Sequence, residues 1–249
     1  MRRAARFFAL TVGLLAVTAM SQSALAKGGM IFGLDLGGAF VSGEQNMKLA
    51  PTSDLYYNNK PLNATCQNST GVTEKVCKDL LRTDAGSGFA FGFRLGYNFW
   101  GYAALETYVH ANFNTDSGGG KFEGAAGWGF LGKYFPLEHF AKLKQRWYDP
   151  FVYFGGGFIT FMGYHEEYDY DHDLRGWKGG HLLFGLGSDF YVHKTVSLGF
   201  DLRFMMPMYK TYIYDWDNDI TATPSSTPST LIVSPMATVT FHFLDPTDF

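Results

Sequence analysis

Alternation of apolar with small or polar residues runs through most of this chain. In S-L-G-F-D-L-R-F-M-M-P, residues 197–207, Leu198, Phe200, Leu202, Phe204 and Met206 take one side. Ser197, Gly199, Asp201, Arg203 and Met205 take the other. A period of two marks a β-strand, whose successive side chains point to opposite faces. The same pattern recurs with Phe32, Leu34, Leu36 and Phe40 against Gly33, Asp35, Gly37 and Ala39, and with Phe89 to Phe99 at odd positions against Ala90, Gly92, Arg94, Gly96 and Asn98. Leu105, Thr107 and Val109 oppose Ala104, Glu106, Tyr108 and His110, and Phe122, Ala126, Trp128 and Phe130 oppose Glu123, Gly127, Gly129 and Lys133. Leu182, Phe184, Leu186 and Phe190 form a further apolar face, as do Leu231, Val233, Ala237, Val239, Phe241 and Phe243. The segment 151–164 is apolar on both faces, so alternation does not orient it. Counting it, eight strands are predicted, each long enough to cross a bilayer.

The connections predicted between them alternate in length. Those at 42–86, 165–177 and 210–230 are long, whereas 99–101 and 193–195 are very short. Transmembrane barrels have short periplasmic turns and longer outer loops, which puts the N-terminus on the periplasmic side. The connection 136–149 is longer than that scheme expects and suits a short interfacial helix or an irregular turn.

Which face meets solvent decides the class. A soluble sandwich would clothe its polar face in Lys, Glu, Thr and Gln. Here that face holds Gly, Ala, Ser and single charges of both signs, which suits the inside of an eight-stranded barrel just wide enough for side chains. Aromatic residues gather at strand ends (Phe99, Trp100, Tyr102, Tyr134, Phe135, Trp147, Tyr148, Phe190, Tyr191), where interfacial girdles are expected. The fold predicted is all-β, an eight-stranded antiparallel up-and-down transmembrane β-barrel.

Composition agrees. Among 249 residues there are 24 Phe, 15 Tyr and 30 Gly, with 17% charged, below the roughly 25% of ordinary soluble domains. Residues 1–26 combine the basic M-R-R-A-A-R, an apolar run and A-L-A, the layout of a cleaved secretory signal peptide; residues 27–249 are then the barrel domain. Cleavage removes three of the 20 basic residues, leaving 17 against 23 acids, a formal charge of −6. No basic stripe suggests nucleic acid as a partner. Cys66 and Cys77 lie in one polar segment and are expected to form a disulfide in the oxidising envelope, worth a little under ~3 kcal/mol. No metal site is expected around them, since further ligands are missing.

The pattern resembles the small outer-membrane barrels of the OmpA/OmpX type, within the outer membrane protein beta-barrel domain and porin-family proteins. The resemblance covers the whole mature chain and includes an aromatic-terminated last strand, T-V-T-F-H-F, although L-D-P-T-D-F follows it here. Either Phe243 or Phe249 would then be the assembly signal. The resemblance implies a cell outer membrane location, contact with outer-membrane lipid and lipopolysaccharide, assembly by the barrel-assembly machinery, and a monomer.

Candidate chemistry centres on Asp35, Arg94, Glu106, Asp201 and Arg203, all near mid-strand on the lumen face. With the turn at 99–101, Arg94 directly opposes Glu106. An unpaired buried charge is costly, so the preferred reading is a salt-bridge plug closing the lumen. A charged constriction that selects ions is the alternative, and an acid–base catalytic pair a remoter one. The acidic loop 164–173 lacks Ca²⁺-loop spacing, and N-A-T at 63–65 and N-S-T at 68–70 read as accidental sequons. No nucleophile–base set appears and no cofactor is expected. The sequence thus suggests a non-enzymatic envelope structural or surface-interaction protein acting through loops 42–86, 165–177 and 210–230, with a narrow channel or a lipid-modifying barrel enzyme as alternatives.

Overall fold

A computed structural model of the chain describes residues 28–43, 54–57, 60–65, 85–99, 101–116, 122–137, 148–166, 172–193, 195–215, 220–223 and 230–244. The expected signal peptide, Cys66, Cys77, Trp100, Trp147 and Phe249 lie outside these residues. Eight long strands form the wall: β1 (Gly29–Gly43), β4 (Ala85–Phe99), β5 (Ala103–Asp116), β6 (Phe122–Tyr134), β7 (Tyr148–Glu166), β8 (His172–His193), β9 (Val196–Asp215) and β11 (Thr230–Leu244). Each pairs antiparallel with its sequence neighbour in the wall, and β11 closes the sheet by pairing with both β1 and β9. Closure leaves the wall no open edge, the condition for strands to cross a bilayer.

The two faces have the chemistry that the alternation predicts, with the greasy one outward. Phe154 and Phe158 are each 63% exposed and Phe130 59%, whereas Asp35 is 1% and Arg203 1% exposed. The glycine run Gly155–Gly157, which hides the alternation of β7, is flanked by residues that fix its sense. Phe151, Tyr153, Ile159 and Phe161 are buried inward and Val152, Phe154 and Phe158 face out.

Three details differ from the sequence expectation. The first periplasmic turn is one position later, because Phe99 pairs with Ala103 and Gly96 with Glu106. Gly101 takes a left-handed φ of 84° and its N–H is accepted by Asn98 Oδ1 at 3.2 Å, which closes the turn. Arg94 therefore stands opposite Tyr108, with Glu106 diagonal to it. The second difference is Phe135, which turns inward (3% exposed) and packs on Phe151 with ring centroids 6.0 Å apart, flooring the lumen where a girdle position was expected. Tyr102, Tyr148 and Phe190 do face out at that end.

The third difference is at the opposite rim. Segments expected to be loops are partly strand: β7 and β8 stay paired up to Glu166 and His172, and β9 runs to Asp215. Short strands β2 (Asp54–Tyr57), β3 (Lys60–Thr65) and β10 (Ile220–Ala222) continue the sheet from β9 in the order β9-β10-β2-β3. The pairing of β9 with β11 ends at Met205–Ile232, and β10 takes the vacated side of β9 beyond it. A small sheet thus rises from one side of the barrel past the membrane-spanning wall.

The orientation of the faces is testable on the wall itself. Phe154→Arg is expected to destabilise the folded barrel by roughly 2–4 kcal/mol, the cost of arginine at mid-bilayer on a lipid-facing strand position, read as urea-induced unfolding from phosphatidylcholine vesicles. An unchanged transition midpoint would mean that this face is not in lipid.

Candidate functional site

The polar set inside the barrel is built where strands offer long side chains on one side and glycine on the other. A Cβ added at Gly33 would fall 2.8 Å from Arg94 Nη2, and one at Gly185 would fall 2.2 Å from Tyr153 Oη. At Gly92 it would lie 3.2 Å from Asp35 Oδ2 and 3.4 Å from Arg203 Nη1. Glycine on one strand thus makes the volume that a charge on another occupies.

The structure places all five sequence-selected charges on the lumen face and joins them in one chain of ion pairs. Arg94 Nε donates to both carboxylate oxygens of Asp35 at 3.0 Å, and its Nη1 donates to Glu106 Oε2 at 2.9 Å. Arg203 Nη2 donates to Asp35 Oδ2 at 2.9 Å and to Asp201 Oδ2 at 2.8 Å. Asp35 is therefore shared by two guanidinium groups. The diagonal position of Glu106 brings it within reach of a second cation as well, Lys133 Nζ on β6, 3.1 Å from Oε1.

The cluster is completed by His110, Tyr108 and Lys133, which the alternation puts on this face without a role, and by Tyr153 of the segment that alternation does not orient. Tyr153 donates to Asp201 Oδ1 at 2.7 Å, and Arg203 Nε donates to Tyr153 Oη at 3.4 Å. Arg203 Nη1 lies 3.2 Å from His110 Nδ1, which must accept there because a guanidinium only donates. Lys133 sits over the Phe151 ring at 4.1 Å from its centroid. Arg94 Nη2 reaches Thr240 on β11 at 3.4 Å, so β1, β4, β5, β6, β7, β9 and β11 all contribute. From β8, His181 is hydrogen-bonded to Tyr108. Apolar groups close both ends: Phe135 and Phe151 below, and Phe161, Trp177, Tyr209 and Tyr212 above, with Trp177 and Tyr212 centroids 4.2 Å apart.

Acids and bases are not evenly matched. Asp149 and Asp189, both 2% exposed, face each other across β7 and β8 near the periplasmic end. Asp189 Oδ1 accepts no hydrogen bond among the described residues. Among those residues no group of three or more His, Cys, Asp or Glu side chains is arranged to hold a metal ion.

A closed eight-stranded barrel, apolar outside and ionic within, decides the class of the fold. Its fold is that of the small outer-membrane β-barrels. Its backbone is similar to that of Neisserial surface protein A, with a TM-score of 0.51 and 11% identity over 86% of this chain and 97% of that one. Two further solved structures match less closely. The outer membrane protein OprG from Pseudomonas aeruginosa gives a TM-score of 0.49 and 14% identity over 90% of this chain and 100% of that one. A major outer membrane protein from Thermus thermophilus gives 0.46 and 10%, over 86% and 99%. No family model and no curated protein matches the sequence. At these identities the likeness is one of fold, and the chemistry of the barrel has to be argued from its own lumen.

Two neutralisations separate the shared acid from the crowded one. Asp35→Asn leaves two buried guanidinium groups under-compensated and is expected to cost about 3–5 kcal/mol of stability. Asp189→Asn removes a buried charge with an unfilled acceptor and is expected to change stability by less than ~1 kcal/mol or to raise it. Urea titration of the two variants beside wild type checks both, and equal losses would contradict the assignment of Asp35 as the hub.

Proposed function

We propose that this chain is a non-enzymatic outer-membrane barrel whose lumen is held shut by its ion network, and that it serves the envelope as a structural or surface-interaction protein through the segments 42–86, 165–177 and 210–230. The observation that carries the reading is the burial of the network: the side chains of Arg94, Glu106, Lys133, Asp35, Arg203 and Asp201 are each at most 3% exposed. Charges that must line a conduit need water around them, whereas these are satisfied by one another and capped by aromatic rings above and below.

A sealed interior leaves the outer rim as the working surface. The strands β2, β3 and β10 rise within two of the three segments, so part of what was expected to be loop is a sheet. Tyrosine and tryptophan recur in the sequence of these segments (Tyr56, Tyr57, Tyr214, Trp216), residue types enriched where proteins meet partners. The partner is a surface ligand of unassigned identity, and assembly is by the barrel-assembly machinery, for which Phe243 at the end of β11 faces outward, 58% exposed.

The reading stands against that of a narrow channel. Wild-type protein in planar bilayers is expected to show no resolved conductance steps, and Arg203→Ala, which removes one partner from Asp35, Asp201 and Tyr153 at once, is expected to produce them. Resolved wild-type steps that vanish in Arg94 or Arg203 variants would replace the plug by a charged constriction.

A further inference from the structure

Three oxygens converge on the space that Gly199 leaves open on the lumen face of β9. A Cβ at this position would lie 2.5 Å from Thr238 Oγ1, 2.8 Å from Asp189 Oδ1 and 2.8 Å from the carbonyl oxygen of Ser188. Thr238 and Asp189 are each 2% exposed, and neither Thr238 Oγ1 nor Asp189 Oδ1 has a hydrogen-bond partner among the described residues. Buried polar atoms are rarely left without a partner. Two of them aimed at one point ask for a ligand.

Register explains the convergence. Gly199 pairs with Asp189 of β8 on one side and with Thr238 of β11 on the other. The three positions therefore stand side by side across three strands of the wall. Asp149 of β7 pairs in turn with Asp189 and is likewise buried, which puts a second carboxyl group beside the first. The place is near the periplasmic end, since β8 ends at His193 and β9 begins at Val196.

Charge and donor chemistry decide what the ligand is. The ion network balances in itself, with Asp35, Glu106 and Asp201 against Arg94, Lys133 and Arg203, all buried. Asp189 is an acid in excess of it. Lys133 and Arg94, whose fields reach Asp189, are held by Glu106 and Asp35. Carboxylate and carbonyl oxygens only accept, and a hydroxyl can turn its proton aside to do the same. An all-oxygen, acceptor-only set with a carboxylate in it fits a hard cation, not a metal that prefers imidazole or thiolate. Ca²⁺ suits it better than Mg²⁺, because Ca²⁺ accepts irregular sets of oxygens whereas Mg²⁺ demands a near-ideal octahedron.

We propose that Asp189, Thr238 and the Ser188 carbonyl, with Asp149 alongside, form a Ca²⁺ site on the lumen face near the periplasmic end. The ion would tie β8 to β11 across β9, and β11 is the strand that closes the sheet. Gly199 is the steric condition, since any side chain there would occupy the ion's place. Nothing in the site depends on what the outer rim binds.

The test is equilibrium dialysis of the full-length folded protein against radioactive Ca²⁺. It is done in dodecylmaltoside micelles free of lipopolysaccharide and other anionic lipid, so that binding on the outer wall does not count. EDTA-stripped wild type is expected to take up Ca²⁺ at about 1 mM, within the range that extracellular calcium modules need. Asp189→Asn should bind at least about tenfold more weakly, since ligand charge sets calcium affinity. Thr238→Val should also weaken binding, and Ser188→Ala, which keeps its carbonyl, should bind as wild type.

Urea unfolding of the same samples gives a second readout. Ca²⁺ at about 100 times its dissociation constant lowers the unfolding equilibrium constant about a hundredfold, and Mg²⁺ at the same concentration should do much less. With EDTA present Asp189→Asn should be at least as stable as wild type, and Ca²⁺ should reverse that order. No uptake by folded wild type, or uptake unchanged in Asp189→Asn, would overturn the site. So would a urea midpoint that responds to pH but not to Ca²⁺, as a proton on Asp189 would give. Heat-modifiable gel mobility checks that each variant is folded, and the wild-type series with Ca²⁺, Mg²⁺ and EDTA decides alone should a variant fail to fold.

Discussion

Asp35 stands between Arg94 and Arg203, and most of the interior is arranged around that sharing. Taking a carboxylate and two guanidinium groups out of water costs more than their attraction returns unless each remaining donor and acceptor also finds a partner. Glu106, Asp201, Tyr153, His110 and Thr240 supply those partners, and Lys133 in turn holds Glu106. Glycine is the steric half of the same requirement, since Gly33, Gly92 and Gly185 leave the room in which the long side chains lie flat. With the polar groups spent on one another inside, the wall can present Phe, Leu, Val and Met outward, the inverse of a soluble sandwich.

The period-two alternation made the strands legible because a strand with one face in lipid and one in a packed lumen tolerates few exceptions. The five charges were legible for the same reason: an Asp or Arg in the middle of an otherwise small-residue face has nowhere else to point. Their pairing was less so. Taking the turn at 99–101 shifted the register by one pair, and only the Phe99–Ala103 pairing fixed by Gly101 shows that Glu106 is diagonal to Arg94, where Lys133 can also reach it. Tyr153 was hidden by Gly155–Gly157, whose lack of side chains erases the alternation of β7. Phe135 resembled a girdle residue because its type suits a wet rim as well as a lumen floor. The small sheet of β2, β3 and β10 left no periodic trace, being made of strands of three to six residues.

The lumen network and the outer rim are linked through β9. The strand contributes Asp201 and Arg203 to the ion network, the Lys210 bulge to the outer wall and the edge on which β10 pairs above the rim. One twenty-residue strand thus connects the interior, the lipid boundary and the external sheet. Small barrels share such a scaffold and differ in what they append to it; here the additions are built as a continuation of the wall.

The account turns on the lumen being dry and shut in the folded barrel. The direct measurement is the reactivity of a cysteine placed within it: Ser234→Cys, a near-isosteric change at a residue 1% exposed and paired in register with Arg203, with Cys66 and Cys77 replaced by serine. A charged, membrane-impermeant maleimide should leave this thiol unlabelled in the folded barrel and label it fully after unfolding in urea. Labelling of the folded barrel at the rate of an exposed thiol would mean that the lumen is open to water.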